Sequence, residues 1–179
     1  MFVDETGFLM APLVRRTWAR KGHTPILRQA TRSHKKVSVV GALVVPARRQ
    51  RVRFYFSLHR NANINASKLV HFLGNLSRQV RGRVIIVWDR LNTHRARSVQ
   101  AWLHRHPRID TTFLPPYAPE LNPIELAWGH LKTNPMANWA PLSLNELAGR
   151  TGYHAARLRS KRSVLRGFLG ATPLFSCPP

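Results

Sequence analysis

The sequence predicts an α/β fold, a mixed five-stranded sheet flanked by helices. Three observations carry that expectation. A hairpin-like pair of β-rich runs precedes a strand–helix–strand unit, so antiparallel and parallel pairing must coexist in one sheet. The run Val84 to Trp88 (VIIVW) is apolar without alternation, as in a strand buried on both faces. The length of 179 residues is close to one domain at roughly 150 residues per domain, and a hydrophobic fraction of 44% lets it bury a core.

In chain order, residues 2–4 read as the tail of a strand, clipped at its start. Thr17 to Ala19 has short-strand composition and runs into a Lys21-Gly22 turn. Val37 to Val45 (VSVVGALVV) is rich in β-branched residues and stops at Pro46. Arg53 to Leu58 alternates around aromatics and reads as its hairpin partner. The basic cluster Arg48, Arg49, Arg51 and Arg53 falls on the exposed turn between them. Ser67 to Val80 changes to a helical period, with Leu69, Leu73, Leu76 and Val80 on one face. After the Val84 to Trp88 strand, Ala96 to His104 fits a helix with Val99, Trp102 and Leu103 inward. Thr111 to Leu114 is a further strand, stopped by Pro115-Pro116. Asn122 as N-cap and Pro123 at the first helical position open another helix. Ser143 and Glu146 have the capping-box spacing, although Gly149 and Gly152 weaken the helix that follows. The tail from Ala155 to Leu169 is basic and amphipathic, so residues 134–179 form a C-terminal helical part of the same domain. This order of elements matches a ribonuclease-H-like fold.

Charge narrows the function. There are 29 Lys and Arg against 7 Asp and Glu, a net charge of +22. Such a charge repels itself in the compact state. A polyanion relieves that cost, and nucleic acid is the expected one. Arginine-rich composition from a GC-rich genome accounts for part of the excess but not for the scarcity of acids. A lone cysteine, Cys177, excludes an intrachain disulfide and a Cys-type zinc site. No apolar run reaches the roughly 18 residues of a membrane span. The start, MFVDETGFLM, has an acid pair where a signal peptide carries positive charge. A soluble cytoplasmic protein, nucleoid-associated and without membrane contact, is expected.

The acids can be taken singly: Asp4, Glu5, Asp89, Asp110, Glu120, Glu125 and Glu146. Glu146 belongs to the capping box, Asp110 lies beside Arg108 in a loop, and Glu120 lies in a proline-rich loop. Asp89 ends the buried strand, where the C-terminal edge of a sheet presents ligands. On placement alone it fits a helix N-cap or a salt bridge equally well. Asp4 ends the apolar run MFV. Glu125 sits in the first turn of its helix, where the dipole alone favours an acid. Together the three supply hard oxygen ligands on elements that can converge. Two Mg²⁺ ions held there could clamp both oxygens of an in-line phosphodiester displacement.

The segments FVDETGF (2–8), TWARKGHTP (17–25), VVGAL (39–43), VWDRLNTHR (87–95) and FLPPYAPELNPIELAWGHLK (113–132) resemble bacterial insertion-sequence transposases of the mariner-type DDE superfamily. The last segment is the most specific, and the 35 residues between Asp89 and Glu125 (90–124) agree with the family's spacing. The resemblance implies a transposase catalytic domain with Asp4, Asp89 and Glu125 as catalytic, metal-binding acids. It implies two Mg²⁺, with Mn²⁺ able to substitute. Water would cut at the transposon ends, and the freed 3′-hydroxyl would attack target DNA. His94 is expected beside the site, touching a phosphate, or else as a helix-start histidine without a role. Asn122 and Pro123 would set the angle of the helix carrying Glu125. Arg90 and Lys132 would lie near the site or on DNA. Trp18 and Trp128 are expected in the core.

Family members carry a helix-turn-helix region that reads the element's ends. Only three residues precede Asp4, so the domain is expected to be N-terminally truncated: a misplaced start, a split reading frame with a separately encoded half, or a decayed copy. Assembly on DNA as a homo-oligomer is expected. The alternatives are a non-catalytic DNA-binding remnant and a different ribonuclease-H-like nuclease. Because three clustered carboxylates repel one another, Asp89→Asn is expected to leave the protein as stable or more stable.

Overall fold

The computed structural model describes residues 1–29 and 34–175; Cys177 lies outside the described residues. Five strands form one sheet in the order β3-β2-β1-β4-β5. They are β1 (Phe2–Leu9), β2 (Lys36–Val44), β3 (Arg53–Arg60), β4 (Val84–Trp88) and β5 (Ile109–Phe113). β1, β2 and β3 pair antiparallel, and β4 runs parallel to both β1 and β5. The helices are α1 (Ala66–Gln79), α2 (Arg97–His104), α3 (Pro123–Thr133), α4 (Leu144–Ser160) and α5 (Arg162–Gly170).

The sheet separates two cores. On one face Val40, Ala42 and Ile86 pack with Leu69, Leu73 and Leu76 of α1 and with Val99 and Trp102 of α2. On the other, Val37, Val39, Leu43 and Phe54 pack with Ile124, Trp128 and Leu131 of α3, Leu147 and Leu158 of α4, and Leu165 of α5. β2 supplies both, which is why its sequence is apolar at nearly every position. β4 differs from the expectation. Val84, Ile86 and Trp88 are buried, but Ile85 is 57% exposed. Helices α3 to α5 lie over β1, β2 and β3 and leave the β4 end of that face open.

Two local readings are corrected. β1 runs for eight residues, so Asp4 is its third residue and not its end. Glu5-Thr6-Gly7 has little intrinsic strand preference, but eight consecutive rows of pairing with β2 hold it extended. Thr17 to Ala19 is not a strand, and Trp18 is 99% exposed rather than core. Nearly every residue from 11 to 29 is exposed, so that indole lies on the surface. The capping box forms as expected: the Glu146 N–H donates to Ser143 Oγ at 3.1 Å. The Glu146 carboxylate reaches back to the N–H of Leu142, one residue before the cap.

One glycine is required by close approach. A Cβ on Gly41 would meet the Trp128 ring at 2.5 Å and 2.8 Å, and Ile124 at 3.3 Å. Trp128 is a large ring, itself 1% exposed, and cannot retreat. Gly41→Ala should therefore cost about 1–3 kcal/mol by overpacking, read as a lower urea midpoint with an unchanged slope. An Ala variant with wild-type stability would show that the ring can move aside.

Candidate active site

Three elements deliver the three acids. Asp4 sits in β1, directly across from Gly41 of β2. Asp89 follows the last residue of β4. Glu125 lies in the first turn of α3, which Pro123 opens at a position where no N–H is needed. All three line one cleft of about 550 Å³, with Arg90, Asn122 and the loop from Leu114 to Pro119 as its other walls.

Trp128 ties the sheet to the helix. Its indole N–H donates to Asp4 Oδ2 at 2.9 Å, in buried surroundings. Residues three apart on a helix share a face, so seating Trp128 over Gly41 also sets where Glu125 emerges. The sequence places Trp128 in the core, and it is there; its second duty toward Asp4 carries no signal in sequence.

Asp89 is held differently. Its Oδ1 accepts the Leu91 N–H at 3.0 Å and pairs with His94 Nδ1 at 2.9 Å. His94 is fully buried, stacked on Trp88 with ring centroids 4.6 Å apart. Its Nε2 lies 3.2 Å from each oxygen of Glu5. His94 thus cannot touch a phosphate as expected, because it has no surface to offer. Glu5, a residue to which the sequence assigns no role, joins the site through it. Glu5 is next to Asp4 in β1, so the two side chains leave opposite faces of the sheet.

The other expected neighbours divide. Arg90 lines the cleft, is exposed, and donates Nε–H to the Leu114 carbonyl at 3.3 Å. Asn122 lines it too but does not cap α3 with its side chain; its buried Oδ1 has no hydrogen-bond partner. Lys132 stands away from the cleft, over the Phe8 ring at 5.8 Å, yet still acts on Glu125 electrostatically.

The environments push the carboxyls apart. Burial, followed by the charges of Glu125 and Glu5, raises Asp4 to about 8, against the pull of its hydrogen bonds. Glu125 is raised by desolvation and by Asp89, against Lys132. Burial would raise Asp89 as well, but His94 and the Leu91 N–H prevail and lower it. Burial would lower His94, but the hydrogen bonds it donates to Asp89 and Glu5 hold it up at about 10. Among the described residues no three His, Cys, Asp or Glu are drawn into a group that could hold a metal ion. By donor chemistry the acids of this cleft fit a hard divalent cation: all offer oxygen, and no positive charge among the described residues favours the ionised form of Asp4.

A family model described as DDE superfamily endonuclease matches residues 1–147. No curated protein matches. Among solved structures the chain is similar to Mos1 transposase in its paired-end complex with the left transposon end, at 20% identity and TM-score 0.68, over 98% of this chain and 52% of that one. It is similar to the catalytic domain of Mos1 mariner transposase at 18% identity and TM-score 0.62, over 98% and 78%. A chain of the simian T-cell lymphotropic virus intasome in complex with PP2A regulatory subunit B56 gamma is similar at 14% identity and TM-score 0.50, over 84% and 45%. At these identities the likeness establishes the fold, the ribonuclease-H-like one expected from the element order. The chain spans about half the length (52%) of the Mos1 chain in the paired-end complex. No helix among the described residues is long and apolar enough to cross a membrane.

These environments reverse the expectation for Asp89. Asp89→Asn removes a charge that a buried His94 cation needs, so it should destabilise by about 1–3 kcal/mol, with the partial exposure of Asp89 keeping the loss at the lower end. Asp4→Asn should act oppositely in metal-free protein. The folded-state pKa of Asp4, about 8, lies above the ordinary value of 3.8. Between those values the native state binds the extra proton, so its stability falls as pH rises. The Asn variant lacks this slope. Melting temperatures in chelator should show it gaining on wild type from pH 5 to pH 8. A constant difference would remove Asp4 as the cause.

Proposed function

We propose that this chain, which belongs to the DDE superfamily endonuclease family, is the catalytic domain of a DNA transposase. It would cut DNA at the ends of a mobile element and join the freed 3′-hydroxyl to target DNA. The observation that carries this reading is the cleft that Asp4, Asp89 and Glu125 line together, from three separate elements, on a chain of net charge +22.

Asp4, Asp89 and Glu125 would hold two Mg²⁺, or Mn²⁺ in their place, and these ions would stabilise the attacking and leaving oxygens of an in-line displacement. The chain's own residues prepare that step. Asp89 is held ionised and is fixed through Oδ1, so Oδ2 would be the oxygen to meet a cation. Asp4 is kept in place by Trp128 and gives up its proton when positive charge arrives. Glu125, exposed at the start of α3, has room to close on the site. Arg90 is positioned to meet a phosphate, and Asn122 Oδ1 remains an acceptor for a nucleotide in the cleft. In the first step water adds to phosphorus and a 3′-oxygen leaves, protonated. In the second that 3′-hydroxyl adds to a target phosphorus and displaces another 3′-oxygen. The first step is a hydrolysis that leaves a 5′-phosphate; in the second, one phosphodiester forms for the one broken, so no external energy source is required. A helix-turn-helix segment that reads the element's ends, on this or a separate chain, and assembly of copies on DNA belong to the same reading.

One observation favours a second reading, a DNA-binding chain that does not cut: the acids are not gathered into a ready-made metal group. Nicking of supercoiled plasmid separates the two. Mg²⁺ or Mn²⁺ should support nicking by the wild type, and Glu125→Gln should lose it while melting normally. Metal-independent nicking, or equal rates in both proteins, would sink the catalytic reading. Binding should weaken steeply with salt, with a slope of about −0.9 per phosphate contacted on a log–log plot. A flat salt dependence would exclude the phosphate backbone as the main contact.

A further inference from the structure

We propose that His94 is a positioning residue: it fixes the Asp89 carboxylate for cation binding by tying it to Glu5 of β1. The inference rests on the reading above but concerns a residue that never meets DNA or the reacting atoms.

The geometry is specific. His94 has no exposed surface. Nδ1 faces Asp89, with Oδ1 at 2.9 Å and the backbone carbonyl at 3.1 Å. Nε2 faces both oxygens of Glu5 at 3.2 Å. Every one of these neighbours is an acceptor, so the ring satisfies them only by donating from both nitrogens at once. Stacking on Trp88 at an interplanar angle of 7° stops it from turning away.

The arrangement answers a need. Asp89 lies just past β4, outside the strand ladder, so backbone pairing does not fix its side chain. The backbone of Glu5, by contrast, is held within the sheet, paired with Val40. His94 carries that constraint across to Asp89 and occupies Oδ1, which leaves Oδ2 for a ligand. β1 thereby governs two acids of the cleft: Asp4 directly, and Asp89 through Glu5 and His94. A hydrogen-bonded partner behind a ligand commonly orients it in this way.

A histidine that merely filled space would give a different pattern of variants. An Asn side-chain amide reaches the place of Nδ1 and can still donate to Asp89. A Gln amide reaches the place of Nε2 and can serve only Glu5. Mn²⁺ binding by the purified chain, followed by electron paramagnetic resonance of free Mn²⁺, should therefore distinguish them. The half-saturating concentration should rise about tenfold or more in His94→Gln but only about threefold in His94→Asn. Equal shifts in the two variants, or none in either, overturn the inference. Neither depends on activity. Should a variant not fold, nitrogen-15 magnetic resonance of the metal-free wild type decides: one histidine should carry protons on both ring nitrogens, protected from exchange. Only singly protonated or rapidly exchanging histidines overturn it. A wild type that takes up no Mn²⁺ overturns the functional reading and this inference together. Uptake by the wild type with indistinguishable variants overturns this inference alone.

Discussion

The hydrogen bond from Trp128 to Asp4 is the constraint on which the rest of the site depends. It crosses from the helical layer to the sheet at a point where Gly41 offers no side chain. A residue with a Cβ there would lift the indole away from the strand. With the indole lifted, Asp4 would lose its donor and α3 its seat, and Glu125 would leave the helix at another place. One missing methyl group thus sets the relation between two of the three acids. The polar bond is sustained by apolar packing: Phe54 meets the same indole edge-on, with ring centroids 5.7 Å apart.

The two aspartates solve the same problem in opposite ways. Both are taken at least partly out of water, which penalises a carboxylate. Asp4 receives two neutral donors, the Trp128 indole and the Glu5 N–H, but also two carboxylate neighbours, so with burial its proton is retained to about pH 8. Asp89 receives a histidine that is itself held charged, so its proton is lost early. Environments that separate the pKa values of paired acids are a common mark of chemical sites. Here the separation has a simple source: a strand sends neighbouring side chains to opposite faces, and His94 stands on only one of them.

Much of this was legible in the sequence, for physical reasons. The β-branched run of β2 and the heptad-like spacing of Leu69, Leu73 and Leu76 report burial, and burial is what periodicity records. The strand–helix–strand order limits the topology to few choices. The scarcity of acids made Asp4, Asp89 and Glu125 conspicuous. What remained hidden depends on partners far away in the chain. The full length of β1 comes from pairing with β2, not from its own residues. Glu5 and His94 are 89 positions apart, and a histidine shortly after an aspartate reads equally well as a phosphate contact. The exposed Ile85 follows from where helices stop covering the sheet, which no local pattern encodes. Trp18 shows the converse: a tryptophan in sequence suggests core, but this one is 99% exposed in a segment that is exposed almost throughout.

The distribution of charge gives the proposed function an internal logic. Three of the seven acids serve elsewhere: Asp110 pairs loosely with Arg83 at 3.5 Å, Glu146 caps α4, and Glu120 lies in the short turn Pro119–Leu121. The remaining four, Asp4, Glu5, Asp89 and Glu125, gather at or behind one cleft, with His94 between Glu5 and Asp89. The rest of the surface is dominated by Lys and Arg. DNA would be drawn to such a surface from any direction, since counterion release is indifferent to sequence. The cleft is the exception, because carboxylates and phosphates repel. A scissile phosphate could settle there only after divalent cations reversed the sign of the local field. Under this reading the chain binds DNA by default and admits a phosphate to its acids only when they are loaded, so cation binding acts as a condition on where DNA sits as well as on whether it is cut.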